Sequence, residues 1–334
     1  MKNTIIKISQ SFLCAILALI MVASPIFTLA ADADENWQLT ETEIEILWAE
    51  LLAEAEAAVT VEQLAEIDSW MAAEEMFFAN VTLDSLWEEF ILDNPEVFEL
   101  GDYEIRNVKN RIAELYEYLI TANTPIGVYE NLMPANTPIT GAIDAYTRAF
   151  SRTDGLTNLI VRTSIEANGA VAAAEAWILF SGMRQDAFRH YYWNLLSVRD
   201  IGVGITQNGR INSTRIFTTN RELATNILRR NPSLNVSNPT AQQIATATNL
   251  RTTLLNANLA TFNALFGTAA ARDDLMDLWN NEMGRVDGAR IGVALWMFNT
   301  RWNENTLIRS NTTTDVTAAR RQQIFNNGWH RPVR

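Results

Sequence analysis

Apolar residues recur at three- and four-residue spacing along most of the chain, and no stretch sustains the two-residue alternation of a half-buried strand. That periodicity predicts an all-α, bundle-like fold. Near the start, Ile44, Leu47, Leu51 and Leu52 share one side of an expected helix over residues 39–59, with glutamates opposite. Thr60 followed by Gln63 reads as a capping box opening a second helix, with Leu64, Ile67, Trp70, Met71 and Phe77 turned inward. A third helix follows Thr82 and stops before Asn94-Pro95, and a fourth runs over residues 103–121. Beyond residue 139 the pattern predicts helices over residues 139–151, 157–180, 182–199, 217–230, 239–267, 271–285, 286–302 and 315–327. Residues 201–216, with three glycines and several β-branched residues, read as a loop or a small hairpin.

Charge divides the chain. Residues 31–120 hold 24 acids against three basic residues, whereas residues 121–334 hold 15 acids against 21 arginines. Between these regions, Ala122-Asn123-Thr124-Pro125-Ile126 recurs as Ala135-Asn136-Thr137-Pro138-Ile139, a proline-containing stretch that stops helix propagation. The expected organisation is an acidic helical module over residues 31–121, a linker over 122–140 and a helical domain over 141–334. The asymmetry allows the acidic module to dock on the arginine-rich domain, although solvated acidic helix faces are the plainer alternative. The overall acidic balance argues against nucleic-acid binding.

Residues 1–30 have the form of a secretory signal peptide: Lys2 and Lys7, an apolar run from Phe12 to Val22, then Ser24-Pro25 and the small-residue approach to Ala30. Cleavage after Ala30 is expected, with Ala31 and Ala33 as other sites. The run is short for a membrane span, which needs about 20 apolar residues. The expected location is therefore secreted, with membrane contact only through the signal peptide. The single cysteine, Cys14, lies within that segment, so disulfides, thiolate nucleophiles and cysteine-ligated zinc are excluded from the remainder.

Two polar stripes carry the candidate chemistry. In "QDAFRHYYWN", Asp186, Arg189, His190, Trp193 and Asn194 lie along one side of a helix whose other faces are apolar. In "DDLMDLWNNEMGR", Asp277, Asn280, Asn281 and Gly284 share a side, with Arg285 able to reach back over it. Adjacent asparagines are poor helix formers, and a glycine permits close approach of another backbone.

"DAFRHYYWN" and "MDLWNNEMGR" together resemble the paired motifs of an uncharacterised bacterial domain of unknown function found in exported and toxin-like proteins. The family pattern is roughly D-A-x-R-H-x-x-W, a short A-H-E, then M-D-L-x-N-N-x-x-G-R, and the likeness spans residues 183–291. It implies a helical domain whose polar positions are Asp186, Arg189, His190, Asp277, Asn280, Asn281 and Arg285, and it brings no established activity. At the A-H-E position this chain has Asn220-Arg221-Glu222, in "FTTNRELA". The glutamate is kept and the histidine is replaced by an arginine, which neither ligates a metal nor accepts a proton.

The sharper functional expectation is ester or phosphoester hydrolysis. His190 is the general base, Asp186 or Asp277 fixes its tautomer, and Arg189 and Arg285, with Arg221 as a further candidate, hold an anionic or lipid substrate. Asn280 and Asn281 orient the substrate, beside Trp193 and Glu222. No cofactor is expected. A divalent ion on Asp186, His190, Glu222 and Asp277 is conceivable for calcium, manganese or iron but is not favoured with one histidine. The alternative is a non-catalytic secreted protein whose same residues form a buried polar network or bind a partner. H-E-x-x-H, G-x-S-x-G and a phosphate-binding loop are all lacking. His330 reads as a solvated tail residue. Trp48, Trp70, Trp87, Trp177, Trp193, Trp279 and Trp296 read as core.

Overall fold

The computed structural model describes residues 39–93, 101–122, 140–200, 206–236, 238–266, 268, 271–290 and 294–333. The expected signal peptide and residues 123–139 of the expected linker lie outside them. Among the described residues the protein is all-helical, with thirteen α-helices and no strand. In chain order these are α1 (Glu41–Ala57), α2 (Val61–Asn80), α3 (Leu83–Asp93), α4 (Asp102–Ala122), α5 (Thr140–Thr153), α6 (Leu159–Leu179) and α7 (Gly182–Asp200). There follow α8 (Gln207–Arg230), α9 (Ala241–Leu255), α10 (Leu259–Phe266), α11 (Ala271–Gly288), α12 (Ala294–Asn303) and α13 (Ala318–Asn326). No described helix is long and apolar enough to cross a membrane.

Several helix starts follow from local chemistry. Thr60 accepts from the Gln63 amide while the Gln63 side chain accepts from the Thr60 amide, so the capping box at α2 forms as expected. Thr240 and Gln243 repeat that device at α9. Thr206 caps α8 by accepting from Gly209 N at 3.2 Å.

That cap marks a departure from expectation. Residues 207–216, read as loop or hairpin, are the first turns of α8. Their β-branched residues are accommodated because Thr214 is buried and Ile216 packs beside the cluster containing Phe217, and packing outweighs a weak propensity penalty. The expected helix over 239–267 is two helices. Leu255 ends α9, and Asn258 Oδ1 accepts from Thr261 N at 2.9 Å to start α10. Helix α11 continues through Gly288, and α12 spans Ala294–Asn303.

Helix α7 is the hub. It packs on α6, α11, α8 and α12. Phe188, Tyr191 and Leu195 of α7 join Ala176, Phe298 and Leu307 in one cluster, while Trp193 joins Leu156, Val161, Ile165, Ala172 and Phe217 in another. Outside this hub, α5 and α9 pack on α8, α10 and α13 pack on α11, and α4 packs on α3 and α6.

The acidic N-terminal helices lie against the arginine-rich region. Helices α1 and α2 pack on α9, with Ile44, Leu47 and Trp48 buried. Arg230 bonds Glu41 at 2.6 Å, Arg162 bonds Glu74 at 2.5 Å, and Gln63 donates to Asn249 at 2.9 Å. The guanidinium of Arg152 lies over the Trp70 ring.

Three further expectations are corrected. His330 is buried: its ring stacks on Phe325, with planes 6° apart, and lies 4.9 Å from Phe262. Burial, helped by Arg331, lowers its pKa to about 4, because the charged imidazolium is poorly solvated there. Trp329 anchors the same segment against Trp279. Trp177 and Trp296, read as core, are 55% and 67% exposed. Helix periodicity identifies a face but not whether a neighbour covers it.

The tightest contact joins α7 and α11. A Cβ at Gly284 would stand 2.1 Å from Tyr191 O, and one at Gly288 would stand 2.7 Å from Leu195 O. The two glycines and the two carbonyls are each four residues apart, so successive turns of one helix seat on successive turns of the other. Gly284→Ala must push the helix backbones apart, since the obstructing atom is a carbonyl. The expected loss is about 1–3 kcal/mol of stability, measured as a lower urea midpoint with an unchanged slope; an unchanged midpoint contradicts the close contact.

Candidate functional site

The approach of α7 to α11 brings the two polar stripes together, and Glu222 of α8 completes the cluster. His190 is 5% exposed and is flanked on both ring nitrogens. Its Nδ1 lies 3.3 Å from Glu222 Oε1 and 3.3 Å from Asn281 Oδ1. Its Nε2 lies 2.7 Å from Arg189 Nη2, 3.2 Å from Asp277 Oδ1 and 3.8 Å from Asp186 Oδ1. A guanidinium has donors and no acceptor, so Nε2 must accept from Arg189, and the ring proton sits on Nδ1, facing Glu222 and Asn281.

The cluster is graded in exposure. Glu222, Asp277 and His190 are buried, while the Arg189 and Asp186 side chains are 34% and 26% exposed. Arg189 Nη2 donates to Asp186 Oδ1 at 2.5 Å, so this ion pair forms the solvent edge of the site. The opposite edge is closed. Asn194 Nδ2 donates to Asn281 Oδ1 at 2.6 Å, and Asn281 Nδ2 donates to Glu222 Oε1 at 3.1 Å.

The electrostatics separate the acids. Desolvation raises Asp186 and Glu222, but the charge and hydrogen bond of Arg189 on Asp186, and the hydrogen bonds of His190 and Asn281 with the charge of Arg189 on Glu222, more than compensate, holding both below the usual carboxylate range. Asp277 goes the other way. Burial is the main cause, and Asp186, Glu222 and Asp273 add like-charge repulsion that holds it well above its ordinary value. Among the described residues Asp277 Oδ1 receives no hydrogen bond: the adjacent Nε2 accepts from Arg189 and has no proton to donate.

Other expected site residues are engaged elsewhere. Asn280 clasps a backbone segment: its Nδ2 donates to Ile308 O at 3.0 Å and its Oδ1 accepts from Ile308 N at 3.1 Å. Trp193 donates from Nε1 to Ile165 O at 2.7 Å and packs against Gly169. Arg285 is 1% exposed and lies behind the cluster, bonded to Glu282 Oε2, Asn194 Oδ1 and Thr218 Oγ1 at 2.8–3.0 Å. Arg221 turns away to pair with Asp144 and lies over the Trp193 ring. Its neighbour Glu222 faces His190, which is the helical consequence of adjacent residues pointing about 100° apart.

Sequence reasoning placed Asn194 on the polar stripe but missed Thr218, Glu282 and Arg215. Asn194 and Thr218 connect the His190 cluster to Arg285, and Glu282 is shared by Arg285 and Arg215. The i,i+3 spacing of Glu282 and Arg285 was a usable signal. Arg215 carried none, since it fell in the stretch read as loop. Asp274, a turn before Asp277, accepts from Asn226 and Arg229.

Comparison with family models, with curated proteins and with solved structures gives no match, so the reading of the site rests on its own geometry.

Asp274 makes stability depend on pH. Burial raises its pKa to about 7, against the partial relief of Arg229 and Asn226 and with Glu222 and Asp273 adding to the rise. A carboxyl raised in the folded state holds its proton there while the unfolded chain has released it. Its contribution is therefore undiminished below about pH 4, falls as pH rises toward 7, and is flat above. The limiting slope is about 1.4 kcal/mol per pH unit. Asp274→Asn, which keeps an acceptor for Asn226, should gain stability relative to the parent as pH rises from about 4 to about 7 in urea unfolding; a difference independent of pH contradicts the shift.

Proposed function

We propose that the His190 cluster is a hydrolytic centre for an anionic ester or phosphoester, in an exported bacterial protein. The observation that carries this reading is the imidazole held between Glu222 on Nδ1 and a partly exposed Asp186–Arg189 edge on Nε2. Glu222 fixes the Nδ1–H tautomer, which leaves the Nε2 lone pair directed at the side from which substrate and water arrive.

In the proposed reaction, the anionic group of the substrate draws Arg189 off Nε2 and pairs with its guanidinium. A water then occupies that position. As its oxygen attacks the carbonyl carbon or phosphorus, its proton passes to Nε2. The ester C–O or P–O bond breaks, and the proton moves from the imidazolium to the departing oxygen. Asp277, whose Oδ1 lies 3.2 Å from Nε2, is placed to hydrogen-bond the attacking water. The sequence resemblance to exported, toxin-like proteins suits such a role without specifying a substrate.

A second reading is favoured by the polar network immediately behind. Arg285, Glu282, Arg215, Asn194 and Thr218 are mutually bonded and buried, an arrangement that specifies helix register without any chemistry. In that reading His190 is one more member of the network, in a secreted binding or structural protein.

A panel of carboxylate and phosphate esters distinguishes the two. The hydrolytic reading expects turnover by the parent, a fall in kcat of about 100-fold or more in His190→Gln, and a raised KM in Arg189→Gln, with circular dichroism unchanged in both. Turnover equal in His190→Gln, or none across the panel by a folded parent, rejects it.

A further inference from the structure

Three donor atoms, Asp186 Oδ1, His190 Nε2 and Asp277 Oδ1, lie within 4.8 Å of one another. The ring nitrogen is 3.2 Å from the Asp277 oxygen and 3.8 Å from the Asp186 oxygen. Donors bound about 2.1 Å from one first-row ion stand roughly 3.0–3.4 Å apart at right-angled or tetrahedral geometry. The Asp277–His190 pair already has that spacing. Asp186 sits at the open edge, where its side chain is 26% exposed and its oxygen faces the same ring nitrogen.

An independent observation points to a missing partner. Asp277 is 6% exposed, its Oδ1 is aimed into the cluster, and that oxygen receives no hydrogen bond. A buried oxygen left without a partner is costly. The nearest cation, Arg189, spends its Nη2 on Asp186 and His190 instead. Three carboxylates, those of Asp186, Glu222 and Asp277, thus converge on one imidazole with one guanidinium among them. Only the guanidinium is free to leave, because its side chain is a third exposed while Asp277, Glu222 and His190 are fixed by burial.

We propose that Asp186, His190 and Asp277 form a binding site for a divalent transition-metal ion, which Arg189 caps and which the ion enters by displacing the Arg189 guanidinium. Two carboxylate oxygens and one imidazole nitrogen suit Mn²⁺ or Zn²⁺ better than Ca²⁺ or Mg²⁺, which rarely take nitrogen. Glu222, bonded to the far nitrogen of the ring, takes the outer position that orients a metal-bound histidine and raises its basicity. Water completes the coordination on the exposed side. This goes beyond the hydrolytic reading and rests on it for its role: a bound ion would lower the pKa of its own water, and His190 would then serve as ligand in place of the base step above.

The test is calorimetric titration of the EDTA-stripped full chain with Mn²⁺ and with Zn²⁺, alongside circular dichroism. One ion per chain is expected. Asp277→Asn should weaken binding at least tenfold, and Asp186→Asn, at the exposed edge where folding is least at risk, should weaken it in the same direction. Arg189→Gln should bind at least tenfold more tightly, since the competing cation is gone; a purely structural ion pair gives no such gain. Absence of binding at millimolar ion by the folded parent and by Arg189→Gln overturns the site, as does affinity unchanged by both aspartate substitutions. Affinity unchanged or reduced in Arg189→Gln overturns the cap. Ion binding without turnover rejects hydrolysis and keeps the site, whereas turnover that survives EDTA keeps hydrolysis and removes the ion from it.

Discussion

The close passage of α11 over α7 is the constraint on which the rest of the structure depends. Gly284 and Gly288 lie so near Tyr191 O and Leu195 O that no side chain fits between the backbones. Only at that distance can the short side chains of Asn194 and Asn281 meet directly and the Asp277 carboxylate reach the imidazole of His190. The same passage places Tyr191 Oη on Asp287, which Arg301 of α12 also holds. The hydrophobic cluster around Phe188 and Phe298 fixes α7 and α12 from the other side. Packing sets the separation, and the polar groups then set the register within it.

Burying so many polar groups is expensive unless each finds a partner. The network behind the site largely achieves that. Arg285 spends its donors on Glu282, Asn194 and Thr218, while Arg215 returns to both oxygens of Glu282. Charges matched in this way add little net stability, but breaking one leaves another unpaired. The front of the cluster is different. It carries more carboxylates than cations, it holds one acid well above its ordinary pKa, and it leaves that acid's oxygen without a donor. That imbalance is the observation from which we propose that the site takes a cation or a proton.

Much of this was legible in the sequence. Helix periodicity identified the all-α class, and the Thr60–Gln63 spacing identified a helix start that forms as expected. The spacing of Asp186, Arg189 and His190 placed them on one side of one helix, and Gly284 marked the point of close approach. What was not legible depended on three-dimensional neighbours. Asn280 and Asn281 are adjacent and chemically identical, yet one clasps Ile308 and the other meets His190, because they point about 100° apart around α11. Arg285 sits on the expected face but folds inward to Glu282 rather than toward solvent. Trp177 and Trp296 have core spacing yet are exposed, while His330 is enclosed by Phe262 and Phe325. Burial is a property of the partner surface, and a single stretch of sequence does not contain its partner.

The central claim is that helices α7, α8 and α11 meet at one imidazole. The ¹⁵N spectrum of the His190 ring in metal-free protein tests it most directly. The arrangement requires a proton on Nδ1, an unprotonated Nε2, and an Nδ1 resonance that moves when Glu222 is replaced by glutamine. A ring indifferent to Glu222 contradicts the convergence of the three helices on this residue, and a proton on Nε2 instead contradicts the hydrogen bond that Arg189 makes there.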